Sequence, residues 1–216
     1  SAEAGLSGRA AGQPPAVALL LPGQGSQHPR MGLALYAERG VFRREIDSLS
    51  EALEPLLGRS LTRLLYGGAP DTDASADTES LRHTELAQPA VFAVSLALAR
   101  QWQALGLPIE GLLGHSVGEY VAACLAGVFD PEDALGLIVE RGRLVGALPG
   151  GAMLAVEEDE ATLRALIDEV AAGELALAAV NGPRHCVVSG PEPAIAELER
   201  RLASGERPGR RLQTSH

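Results

Sequence analysis

Lysine is absent: all 18 basic residues are arginine. No ε-amino group is therefore available as a Schiff base or a general base. Cysteine is nearly absent too, with only Cys124 and Cys186. Cys124 falls in an apolar stretch of helical pattern and Cys186 in an apolar strand-like run, so both are expected as buried, inert thiols. Such a pair makes no disulfide framework and points to a reducing, cytoplasmic setting. No signal-peptide pattern opens the chain, and no apolar run is long enough to span a membrane. Positive charge is outweighed: 28 Asp and Glu leave a formal net charge of −10. That balance argues against nucleic acid and anionic membranes as partners. No metal site and no bound cofactor are expected.

What is present is apolar. Hydrophobic residues make up 46% of 216 residues, enough for one sizeable domain or one domain with a small insert. The stretch that organises the chain is Gly114-His115-Ser116-Val117-Gly118. It follows the apolar run Pro108 to Leu113 and leads into the helical pattern Glu119 to Gly127. Gly-x-Ser-x-Gly at a strand-to-helix turn is the context of a nucleophile elbow. The glycines let the backbone crowd through the turn and leave the Ser116 hydroxyl exposed at its apex. The following helix start supplies free N–H groups, and the N–H of Val117 is the natural first oxyanion donor. A glycine-rich turn with an ordinary serine is the bland alternative, which the strand–turn–helix context makes the weaker one.

Residues 1–15 are small, Gly-rich and end in Pro14-Pro15, a composition that fits a linker from a longer polypeptide and equally a frayed N-terminus. Ala16 to Leu21 is a continuous apolar run, read as a strand buried on both faces as in a parallel sheet. It ends in Gly23-Gln24-Gly25-Ser26-Gln27, at the carboxyl edge where open α/β sheets bind ligands. Met31 to Arg39 and Phe42 to Leu57 read as helices, Leu61 to Tyr66 as a short helical turn, and Gly67 to Ser80 as an acidic surface loop. Gln88-Pro89 opens a core helix over Val91 to Leu105, with Pro89 in its first turn and Trp102 as packing. Asp130 as N-cap and Pro131 at the first helical position start a helix running to about Leu148. It carries Arg141 and Arg143, which two-residue spacing sends to different faces.

From Gly151 the pattern changes to strand, helix, strand, strand, helix, strand, ending in a strand over Arg211 to Ser215. That order is the ferredoxin-like signature. The expected fold is α/β: an α/β-hydrolase-like parallel-sheet core over 16–150 carrying a ferredoxin-like (βαββαβ) subdomain over 151–216, with the C-terminal part of the core missing.

The motifs Leu21-Pro22-Gly23-Gln24-Gly25-Ser26-Gln27, Gln88-Pro89-Ala90, Gly114 to Tyr120, Arg141-Gly142, and Asn181-Gly182-Pro183 with Val187-Val188-Ser189-Gly190 occur in that order. Together they resemble the acyltransferase domains of modular polyketide synthases. They are also similar to the malonyl-CoA:acyl-carrier-protein transacylases of fatty-acid synthesis. The resemblance covers about residues 16–216. It implies a ping-pong transfer, in which Ser116 takes a malonyl group from malonyl-CoA as an oxygen ester. The phosphopantetheine thiol of an acyl carrier protein then accepts it. It assigns the backbone N–H groups of Gln24 and Val117 to the oxyanion, Arg141 to the free carboxylate of the extender unit, and His115 and Gln88 to the pocket. A guanidinium fork bonds a carboxylate bidentately, which favours diacid over plain acetyl thioesters.

The resemblance also requires a His as base from just beyond the insert. The sequence ends there, at Gln213-Thr214-Ser215-His216. Either His216 is a specificity-linked His with the base three residues further on, or His216 is itself the base. The run Arg210 to His216 resembles the malonyl type and favours the first. Val117 also fits the malonyl type, since methylmalonyl-type domains tend to carry Gln there. This stretch of chain is accordingly expected to be inactive alone and to associate with its missing continuation and neighbouring synthase domains. A serine acyl hydrolase using water, or an inactive docking module within a synthase, are the other readings. The arginines at 200, 201, 207, 210 and 211 are a candidate contact for an acidic carrier protein, against an ordinary solvated edge.

Overall fold

The computed structural model describes residues 12, 16–67, 80–205, 207 and 209–212. The expected linker, the loop at 68–79, and the last four positions with His216 lie outside these, Gly12 and the loop ends apart.

Strand β1 (Val17–Leu21) pairs in parallel with β2 (Ile109–Gly114), with Leu19 opposite Leu112 and Leu21 opposite Gly114. Between them run α1 (Leu33–Ala37), α2 (Val41–Leu57), α3 (Leu61–Tyr66), a 3-10 turn (Ser80–Arg82) and α4 (Thr84–Ala104). Helices α5 (Val117–Leu125) and α6 (Pro131–Gly146) follow β2. Helix α2 is amphipathic and buries Ile46, Leu49 and Leu53, spaced three and four residues apart along one face. Helix α4 buries residues around most of its circumference, because α2, α5 and α6 pack on it.

Four expectations need correction. Helix α4 starts at Thr84, so Pro89 lies inside it rather than in its first turn. Pro89 cannot donate to the Glu85 carbonyl, and the helix persists because its neighbours bury it. Strand β1 is not covered on both faces: Leu20 is 73% exposed, as is Leu113 on β2 at 62%. Among the described residues this sheet has two strands only, and nothing lies over that face. Trp102 is 45% exposed, at the rim of an apolar cavity of about 350 Å³ between β1 and α4. Helix α6 ends at Gly146; Asp130 takes the N-cap position with extended backbone but no side-chain bond, while Pro131 opens the helix.

The remaining chain forms β3 (Gly151–Val156), α7 (Glu160–Ala171), β4 (Ala176–Gly182), β5 (His185–Pro191), α8 (Glu192–Ser204) and β6 (Arg210–Arg211). The sheet order is β4-β5-β3-β6, all pairs antiparallel. Alternation along β3 turns Ala152, Leu154 and Val156 inward, against Leu163 and Ile167 of α7 and Ile195, Leu198 and Leu202 of α8. Asp159 caps α7, its carboxylate accepting from the Thr162 N–H at 3.0 Å. That bond holds its carboxyl below the usual carboxylate range. The apolar cluster here shares no residue with the one around α4.

Candidate active site

The turn from β2 into α5 sets the site. Ser116 has φ 53° and ψ −114°, a conformation an L-residue rarely adopts. Strain of this kind persists only where the surroundings dictate it, and it lifts the side chain out of the turn. The two glycines around it show why. A Cβ on Gly114 would come within 2.3 Å of the Glu119 nitrogen, and one on Gly118 within 2.1 Å of the Leu21 carbonyl oxygen. No side chain fits at either position. The His115 N–H donates to the Leu21 carbonyl at 2.9 Å, extending the β1–β2 pairing into the elbow. Ser116 and His115 are exposed, while Val117 and Gly118 are buried.

The turn after β1 lies against the elbow. A Cβ on Gly23 would sit 3.1 Å from the Ser116 Cβ and 2.7 Å from the His115 carbonyl oxygen. Gln24 follows directly, so its backbone N–H belongs to the peptide that passes the serine. Among the described residues no acceptor is bonded to the backbone N–H of Gln24 or of Val117.

Arg141 comes from α6. Gly142 beside it lets α6 approach α4 closely, with only 3.0 Å between its added Cβ and the Glu85 Cα. That approach carries the Arg141 guanidinium to Ser116, where Nη2 donates to Oγ at 3.3 Å, and Nη1 donates to Gln88 Oε1. Gln88 is 1% exposed, and its Nε2 donates to Gln24 Oε1 at 3.2 Å. Gln24 Nε2 in turn donates to Thr84 Oγ1 at 3.1 Å. One donor-to-acceptor relay thus runs from the only obligate donor, Arg141, through two amides to a hydroxyl. It fixes which way each amide faces. Sequence reasoning missed Thr84; its place four residues before Gln88, on the same helical face, was the signal.

Arg143 faces the other way and donates to the Leu56 carbonyl. His115 lies beside Ser116 in sequence, but among the described residues its ring makes no bond to Ser116 Oγ and only Arg141 does. The arginine-rich edge is mostly neutralised within the chain. Arg200 pairs with Glu197, Arg201 with Glu169, Arg207 with Glu158, and Arg211 with Glu192 and Glu199. Both cysteines are free and buried, and burial pushes both thiols up. Among the described residues no cluster of potential metal ligands occurs, and no helix is long and apolar enough to cross a membrane.

A strained serine on a strand–turn–helix elbow, with one arm of an arginine guanidinium on its hydroxyl, can serve acyl transfer. The family model for the acyl transferase domain matches residues 19–212. The chain belongs to the acyltransferase-domain family. Among relatives, the spectinabilin polyketide synthase system protein NorB of Streptomyces orinoci is 42% identical over 202 residues, 93% of this chain and 9% of that protein. The mycoketide-CoA synthase of Mycobacterium tuberculosis is 39% identical over 198 residues, 91% of this chain and 4% of that protein. Among solved structures, the acyltransferase domain of ZmaA superposes with a TM-score of 0.83 at 39% identity, covering 94% of this chain and 46% of that one. The malonyl-CoA–acyl carrier protein transacylase of Coxiella burnetii superposes with a TM-score of 0.79 at 28% identity, covering 94% of this chain and 62% of that one. This acyltransferase chain is therefore of the polyketide-synthase kind and spans about half the length of the ZmaA domain.

Proposed function

We propose that this chain carries the nucleophile half of an acyltransferase that moves a malonyl-type group from CoA to the phosphopantetheine thiol of an acyl carrier protein. Ser116 Oγ attacks the thioester carbonyl while a base takes its proton. The tetrahedral intermediate collapses with loss of the CoA thiol, leaving a malonyl ester on Ser116. The carrier thiol then attacks that ester and releases the serine. The observation that supports this reading is the Arg141 guanidinium, one arm of which donates to the Ser116 hydroxyl while the other is held by Gln88. The distal carboxylate of a malonyl ester is two carbons from the ester carbonyl, so an anion-binding fork beside the nucleophile suits a diacid. The backbone N–H groups of Gln24 and Val117 are the proposed oxyanion donors, each worth roughly 3 kcal/mol in the transition state. Gln88 holds Arg141 in place, and His115 lines the mouth of the pocket.

The general base is His216 or a His three residues past it, supplied with the remainder of the domain. In this reading 1–15 is a linker, 16–150 the first part of an α/β-hydrolase-like core, and 151–216 the ferredoxin-like subdomain. The uncovered face of Leu20 and Leu113 and the apolar cavity bordered by Trp102 are then the seat of the rest of the core, along with neighbouring synthase domains. No cofactor is needed for acyl exchange, and the enzyme works in the cytoplasm on free CoA thioesters. A stretch that covers 46% of the solved ZmaA domain is expected to transfer little or no acyl group by itself.

The test is transfer of labelled malonyl from CoA to a carrier protein by the polypeptide that includes the C-terminal continuation. Ser116→Ala should abolish transfer. Undiminished transfer by that variant, or robust turnover by residues 1–216 alone, contradicts the proposal.

A further inference from the structure

The turn Gly23 to Gln27 is held by two side chains of its own, and neither has a role in the chemistry above. The Ser26 hydroxyl donates to the Gly23 carbonyl oxygen at 2.9 Å. That carbonyl and the Gln24 N–H belong to one planar peptide unit, in which C=O and N–H point in opposite directions. Fixing the oxygen therefore fixes the direction of the N–H. The next peptide is pinned too: the Gly25 N–H donates to Gln27 Oε1 at 2.7 Å, and Gln27 Nε2 donates to the Leu81 carbonyl at 3.3 Å. The amide accepts from the turn and donates to the 3-10 segment at once; a carboxylate would face the Leu81 oxygen with no proton to offer. Gly25, at φ 106°, supplies the reversal that brings both side chains back over their own backbone.

We infer that Ser26 is a positioning residue for acyl transfer: its hydroxyl locks the Gly23–Gln24 peptide so that the Gln24 N–H meets the developing oxyanion, with Gln27 bracing the same turn. The inference rests on the proposed function, because it needs the Gln24 N–H to be an oxyanion donor. Ser26 touches no reacting atom. Its effect is orientation, and also polarisation, since a hydrogen bond on the carbonyl strengthens the N–H of the same peptide as a donor. A donor held in place before reaction acts on the transition state and not on substrate binding.

The experiment measures Ser26→Ala, Ser26→Thr and Gln27→Glu in the polypeptide with its C-terminal continuation, using malonyl-CoA and acetyl-CoA, with Arg141→Ala as the reference. Ser26→Ala should lower kcat and kcat/KM together by about tenfold, equally for both thioesters, since every acyl group makes the same oxyanion. Gln27→Glu should follow the same pattern, and Ser26→Thr, which keeps the hydroxyl, should stay within about twofold of the parent. Arg141→Ala should lose malonyl alone. Ser26→Ala and Gln27→Glu both within twofold of the parent, at unchanged melting temperature, overturn the inference. A loss by Ser26→Ala confined to malonyl, or appearing only in KM, also overturns it. Retained malonyl loading by Arg141→Ala sinks the proposed function instead, and is read independently of Ser26.

Discussion

Arg141 on α6 and Ser116 at the turn from β2 into α5 are 25 residues apart in sequence, yet the guanidinium of one donates to the hydroxyl of the other at 3.3 Å. The pairing depends on Gly142, which admits α6 to within contact of the Glu85 backbone, and on Gln88, which takes the second arm of the fork. An arginine so placed has one arm committed to a buried amide and the other on the serine hydroxyl.

Replacing that arginine should therefore change which acyl group is accepted more than whether acylation occurs. Arg141→Ala is expected to lower malonyl loading about 100-fold, the cost of losing a charge-assisted contact worth roughly 3 kcal/mol. Acetyl loading should persist or rise, because acetyl has no carboxylate to hold. Arg141→Lys should recover only part of the malonyl rate, since an ammonium cannot bond Gln88 and a carboxylate with one planar fork. Competitive loading with mixed thioesters, read by mass, checks all three. A hydrolase using water would not need Arg141 and would show no malonyl-selective loss.

Gly118 is the position where the elbow tolerates least. Its added Cβ would stand 2.1 Å from the Leu21 carbonyl oxygen, and that oxygen is backbone that cannot swing aside. Gly118→Ala is expected to destabilise the fold by about 3 kcal/mol or more, because the strand and helix must separate to admit one methyl group. Urea unfolding followed by circular dichroism measures it. Gly136→Ala, on α6 where nothing lies within 4 Å, is the control and should be neutral or mildly stabilising.

Alkaline pH should weaken the helical layer around Tyr36 and Tyr66. Burial, then a 2.6 Å bond to Asp47, pushes the Tyr36 hydroxyl up to about 12. Burial pushes Tyr66 further still, with Tyr36 packed on it at 4.6 Å between ring centres. A folded-state pKa above the unfolded value of 10.0 gives stability that is complete below pH 10 and lost as pH rises toward 12. Ultraviolet titration should show tyrosinate appearing late and together with loss of helix. Tyr36→Phe removes one of the groups whose ionisation drives that loss, so its alkaline decline should be shallower. Measured in Tyr120→Phe protein, ionisation of Tyr36 and Tyr66 near pH 10 with the fold intact would contradict the assignment.

Much of this was legible in the residues because the constraints are local. The elbow at 114–118 declares itself through glycines at positions where the backbone leaves no room for a side chain. The strand–helix order after Gly151 follows from short runs of period two and period three-to-four, which need no knowledge of partners. What was not legible came from packing. Pro89 reads as a helix start, yet neighbours on three sides carry α4 back to Thr84. The apolar run of β1 reads as covered on both faces, because hydrophobicity tells what a strand needs and not whether it is met; Leu20 stands open. Thr84 went unseen since its function arises only from a hydrogen-bond relay between elements 60 residues apart. The arginines from position 200 onward read as a positive edge, while the carboxylates of Glu158, Glu169, Glu192, Glu197 and Glu199 pair most of them.

The central claim is that Ser116 becomes esterified by a diacid thioester. Intact-mass analysis of the polypeptide with its C-terminal continuation, after brief incubation with malonyl-CoA, tests it most directly. The account predicts one malonyl adduct, mapped to Ser116, discharged by a carrier-protein thiol and weaker when methylmalonyl-CoA is the donor. Absence of any adduct, or an adduct that survives in Ser116→Ala, would contradict it.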